Sequence, residues 1–91
     1  LANIKSAIKR IRSSKRKQIR NQAIRTRART RVKAARLAID SGNPTEAVAA
    51  IQAAYSALDR AAIKGTIHKR NAARRKSRLM KKLARAAATE Q

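Results

Sequence analysis

The sequence predicts an all-α protein, a three-helix up-down-up antiparallel bundle whose long first helix partly protrudes beyond the other two. Three observations carry this expectation. Glycine and proline are confined to Gly42, Pro44 and Gly65, so the chain is punctuated twice and interrupted nowhere else. The stretches between are rich in Ala, Arg, Lys, Gln and Leu, all good helix formers. Apolar residues recur along them at spacings of three and four, the period of one helical face.

The first helix is expected from about Asn3 to Ser41, roughly 55 Å long at a rise of about 1.5 Å per residue. Its apolar pattern comes in two pieces. Ile4, Ile8 and Ile11 form a short stripe, and Ile24, Ala28, Val32, Ala35 and Ile39 form a second. Between them, the run from Arg12 through Ser13, Ser14, Lys15, Arg16 and Lys17 to Gln18 offers a core nothing, so it should face ligand or solvent all round.

Gly42 stops this helix, because glycine takes the left-handed conformation that follows a helix C-terminus. Asn43 is a favoured N-cap and Pro44 suits the first helical position. Glu46 stands where a capping-box carboxylate reaches back to the cap N–H. Val48, Ile51, Tyr55, Leu58 and Ala62 then give the second helix a narrow apolar seam. That helix is nearly neutral, with Arg60 and Lys64 balanced by Glu46 and Asp59. Gly65 ends it and Thr66 is expected to cap a third helix running to about Ala88, with Ala72, Leu79, Leu83 and Ala87 facing inward. Both connections are short, so consecutive helices should pack antiparallel. Helices one and three then carry the charge, and the second braces them.

A chain of 91 residues with 25 Lys and Arg against 4 Asp and Glu, a net charge of +21, accommodates one small domain, taken as residues 1–91. Tyr55 is the only tyrosine, Phe and Trp are absent, and much of the apolar content is alanine. A buried alanine contributes on the order of 0.8 kcal/mol against about 1–2 kcal/mol of backbone entropy per ordered residue, so the fold needs a partner. Self-repulsion at this charge calls for a polyanion. A membrane fits poorly, since no run of 18 apolar residues and no Trp or Phe anchor is present. The opening residues lack an apolar stretch of signal-peptide length, and there is no cysteine. A cytosolic location, or the matrix of a plastid or other organelle, fits both absences.

Nothing in the chain arranges itself for catalysis, and no metal or cofactor is expected. His68 is the lone histidine, and Ser13, Ser14 and Ser77 have no neighbouring base in a nucleophilic arrangement. Lys and Arg on rigid helices donate to phosphate oxygens, contacts that set affinity and position without reading sequence. With no aromatic platform to stack bases, folded RNA recognised by shape and backbone is the expected ligand. A DNA reader of the zipper type would need a dimerisation segment, for which Val48 to Ala62 is too short and too alanine-rich. The competing reading is nonspecific DNA compaction by a chromatin-like protein.

Two stretches carry a resemblance. The opening Ala2-Asn3-Ile4-Lys5-Ser6-Ala7-Ile8-Lys9-Arg10-Ile11 is one. The other runs from Lys64-Gly65-Thr66-Ile67-His68-Lys69-Arg70-Asn71 through Ala72-Ala73-Arg74-Arg75-Lys76-Ser77-Arg78-Leu79. With the Gly-Asn-Pro turn and the alanine-rich second helix, they resemble the family of the twentieth protein of the bacterial small ribosomal subunit over essentially the whole chain. Two departures are Leu1, where the family usually begins with Met, and Arg70, inserted in an order often written His-Lys-Asn. The resemblance implies a three-helix bundle whose first helix lies against small-subunit ribosomal RNA and binds early in assembly. It further implies contact with the 5′ domain and an approach to the long penultimate RNA helix, by a monomer with few or no direct protein partners. Carried over residue by residue, it points to Lys5, Lys9 and Arg10, and to His68, Lys69, Asn71, Arg74, Lys76 and Arg78, as RNA contacts. The basic faces of the same helices add Arg12, Lys15, Arg16, Lys17, Arg20, Arg27 and Arg31, then Arg70 and Arg75.

Overall fold

The computed structural model describes residues 2–89; Leu1, and residues 90–91 of the expected domain, lie outside the described residues. Three helices follow in the expected order, α1 (Ala2–Asp40), α2 (Pro44–Ile63) and α3 (Lys69–Thr89), with no strand among the described residues. The molecule measures 72 × 21 × 13 Å. Most of its length is α1, whose 39 residues rise about 58 Å, whereas the 20 residues of α2 rise about 30 Å. The salt bridge from Lys82 to Asp40, Nζ to Oδ1 3.2 Å, ties the C-terminal half of α3 to the end of α1. The N-terminal half of α1 therefore leaves the bundle at the end where α2 turns into α3.

The core begins where the second stripe of α1 begins. Ile24 is half-buried, and Ala28, Val32, Ala35 and Ile39 are buried against Ala47, Ile51, Ala54, Leu58 and Ala61 of α2 and Ala72 and Leu79 of α3. Six of these eleven buried residues are alanine, so helix axes approach closely while little apolar area is removed from water. Ile4, Ile8 and Ile11 are 60%, 45% and 66% exposed, so the first stripe of α1 meets no other element.

The α2 seam keeps the expected Ile51 and Leu58, but at its other three positions the buried residue stands one place before the expected one. Ala47, Ile51, Ala54, Leu58 and Ala61 recur at four, three, four and three, while Val48 is 47% exposed and Tyr55 and Ala62 pack only at the edge. Small residues face α1 because the helices lie close together, and the larger Val48 is turned out. On α3 the expected inward Ala87 is exposed, and Ala86 packs against the core instead.

The first turn is built as its residues require, with Gly42 at φ 79°. Its N–H donates to the Ile39 carbonyl, 3.2 Å. Asn43 accepts the N–H groups of Thr45 and Glu46 on Oδ1, at 3.1 and 3.3 Å. Glu46 thus gives its own N–H to the cap, and its side chain is exposed rather than reaching back. The second turn corrects a different expectation. Gly65, at φ 77°, donates to Ala62, and the Thr66 N–H donates to Ala61, the paired bonds that close a helix C-terminus. The Thr66 hydroxyl donates to the same Ala61 carbonyl at 2.9 Å, so Thr66 caps the end of α2, not the start of α3. That start belongs to His68, whose Nδ1 accepts the Arg70 N–H at 3.1 Å.

Candidate nucleic-acid interface

Successive residues of an α-helix turn by about 100°, which puts most of the basic residues of α1 on two faces, one on either side of its buried stripe. Lys5, Lys9, Arg12, Arg16 and Arg20 follow one another at three or four residues and fall on one side, and Arg27 and Arg31 continue the line toward α2. All seven are exposed. Lys5, Lys9, Arg12 and Arg16 surround a shallow hollow beside Ile8, and Lys17 joins Lys9, Arg16 and Arg20 around the next one. The spacing from Lys5 to Arg31 is about 39 Å, a ladder of cations suited to a phosphate backbone. Arg10 and Lys15, also exposed, fall off this line.

The other face of α1 is formed by Arg29, Lys33 and Arg36, about half a turn from the ladder. Arg74, Arg75 and Arg78 of α3 stand opposite them. Together the six line a groove of about 430 Å³, with Val32 the one apolar residue in its lining. The groove exists because Val32 and Ala35 of α1 and Ala72 and Leu79 of α3 pull the two helices together, leaving the flanking cations to face each other. No carboxylate lines it. Asp40 and Asp59 are each paired with a lysine of α3, and Glu46 lies in the first turn of α2. Six convergent cations without an acid hold their repulsion in check only when an anion lies among them.

The remaining expected contacts are placed unequally. Lys69, Arg70, Arg74 and Arg78 are exposed, and Arg75 is half-buried in the groove. Lys76 is turned back on α2: it is ion-paired with Asp59, and its Nζ lies 5.3 Å from the centre of the Tyr55 ring. The Tyr55 hydroxyl donates to the Lys76 carbonyl at 3.2 Å, so one residue of α3 is held at three points by α2. Asn71 is half-buried with its Oδ1 enclosed. His68 is exposed, and its Nδ1 accepts the Arg70 backbone N–H, which leaves Nε2 facing outward. Arg29, Lys33 and Arg36 were not among the residues expected from the sequence. The available signal was their spacing of four and three immediately beside the buried stripe of α1.

No helix among the described residues is long and apolar enough to cross a membrane, and none of them form a group of His, Cys, Asp or Glu able to hold a metal ion. Residues 2–84 match the sequence model of the family described as Ribosomal protein S20. The chain is 53% identical over 88 residues to the small ribosomal subunit protein bS20 of Roseiflexus sp. (strain RS-1), an alignment covering 97% of this chain and 96% of that protein. It is 51% identical over 82 residues to the bS20 of Thermomicrobium roseum, covering 90% and 83%. To the bS20 of Coprothermobacter proteolyticus it is 51% identical over 81 residues, covering 89% and 92%.

Proposed function

Because the chain belongs to the ribosomal protein S20 family, we propose that it is a structural constituent of the small ribosomal subunit. In this role the single domain binds small-subunit ribosomal RNA directly, through phosphate-backbone and shape contacts, and helps that RNA assemble. The observation that carries the reading is the groove between α1 and α3, where six cations meet without a carboxylate. Guanidinium forks and ammonium groups at that density match phosphate oxygens on a narrow RNA surface, and the lack of an aromatic platform leaves bases unread.

The ladder on α1 supports a second part of the reading. It faces about half a turn away from the groove, so one RNA helix cannot fill both. We accordingly read the protein as lying between two segments of the same folded RNA, as a monomer with few protein contacts, on the ribosome rather than at a membrane. Its role is structural rather than catalytic. Nonspecific DNA compaction is not favoured, since the relatives named above, which the chain matches over most of its length, are small-subunit proteins.

The test is equilibrium binding of the full chain to small-subunit RNA and to duplex DNA in the same buffer. Binding to the RNA should be tighter by tenfold or more. Replacing Arg29, Arg36 and Arg78 together by glutamine should abolish that preference, since three charge-assisted contacts are removed. Equal affinity for the two nucleic acids would refute the proposal.

A further inference from the structure

We infer that Arg60 of α2, with Arg27 and Arg31 of α1, forms a second phosphate-binding cleft, so that α2 contacts RNA as well as bracing the bundle. The inference rests on the RNA-binding reading above and adds a site to it. By composition α2 is close to neutral, and its two cations, Arg60 and Lys64, look idle. The fold gives them different surroundings. Arg60 lies across a cleft of about 190 Å³ from Arg27 and Arg31, with Ala53, Ser56 and Ala57 completing the lining. Lys64 is the C-cap of α2 and is not part of it.

Three features give the cleft its chemistry. Arg27 and Arg31 are one helical turn apart and Arg60 approaches from the neighbouring helix, so three guanidinium forks surround one small space. The two alanines keep the lining low, and the exposed Ser56 hydroxyl supplies a further donor. Asp59, the sequence neighbour of Arg60, is drawn to Lys76 on α3 and leaves the cleft without a carboxylate. Donors from three arginines with no aromatic or large apolar wall fit a backbone phosphodiester, not a base. The cleft also lies where the ladder of α1 reaches the bundle, so Arg60 widens that line of cations onto a second helix beside Arg27 and Arg31.

The test compares the full-length protein with Arg60→Gln and Lys64→Gln, measuring affinity for small-subunit RNA over a series of salt concentrations. Both residues are exposed and glutamine is a good helix former, so matched thermal melts should show that each variant is folded. Arg60→Gln should weaken binding roughly tenfold at moderate salt and make the salt slope shallower by about 0.7–0.9, the value of one phosphate contact. Lys64→Gln should leave the slope unchanged. Ethylation interference should show that Arg60→Gln and Arg78→Gln lose different phosphates. An unchanged slope for Arg60→Gln, or equal effects of the two glutamine variants, would overturn the inference while leaving the RNA-binding reading in place. Failure of the unmodified protein to prefer small-subunit RNA would overturn both.

Discussion

Replacing Arg16 by glutamate should raise the helix content of the free protein while weakening its hold on RNA. Arg16 lies in the overhanging half of α1, where no residue from 3 to 20 is buried and tertiary packing contributes nothing. It is one turn from both Arg12 and Arg20, and each like-charge pair at that spacing costs about 0.2–0.5 kcal/mol. A carboxylate at this position turns two repulsions into two attractions, a change of about 1–2 kcal/mol in favour of helix. Isolated helices of this length are marginal, so the local helix-to-coil ratio should rise by a factor of roughly 5–30. The same substitution removes one rung of the ladder and adds repulsion to phosphate, so affinity for RNA should fall by about tenfold or more. Far-UV circular dichroism and hydrogen exchange on the free protein provide the assay. Amides of residues 3–20 should exchange fast beside protected ones in 45–62, and the substitution should slow the fast set. If both segments are equally protected before the substitution, the overhang is helical without RNA. The reasoning then fails.

Leu58, fully buried at the centre of the core, should cost about 2–5 kcal/mol when cut to alanine. An alanine-rich bundle of this size has little more than that in total, so thermal melts should show a largely unfolded free protein that RNA restores by mass action. Reversing Lys69, Arg74 and Arg78 together should weaken RNA binding by a hundredfold or more, whereas Lys64→Gln should change it less than twofold; quantitative gel shifts separate the two. Gly65→Ala should lower stability by about 1 kcal/mol and Gly65→Asn by less. No atom lies within 4 Å of a Cβ added there, so the penalty comes from the positive φ alone, and equal melting temperatures for the two variants would contradict this.

The helices were legible because their ends are chemically local. Gly42, Asn43 and Pro44 allow one C-terminus and one N-terminus in three residues, and the structure realises both. The face of α2 was less legible. Ile51 and Leu58 stood out by size, but where alanine serves as both surface and core residue its position carries no signal, and only the close approach of α1 selects Ala47, Ala54 and Ala61 over Val48, Tyr55 and Ala62. At the second turn, Thr66 resembles an N-cap by type, yet its hydroxyl bonds backward to Ala61 and the cap passes to His68. The interface divides in the same way. The ladder could be read from spacing along one helix, whereas the groove requires knowing which flank of α1 meets α3. Arg29, Lys33 and Arg36 were therefore missed, and Lys76, expected at the RNA, is held by Asp59 and Tyr55.

The central claim is that binding is to the phosphate backbone of folded RNA, and the dependence of affinity on salt tests it most directly. Each phosphate neutralised releases counterions, so roughly 6–10 contacts give a slope of log affinity against log salt of about −5 to −9. Affinity for small-subunit RNA should then fall by about a thousandfold or more between 50 and 200 mM salt while remaining above that for duplex DNA at every concentration. A slope shallower than about −2 would contradict the account, because it leaves the groove and the ladder without phosphates to hold.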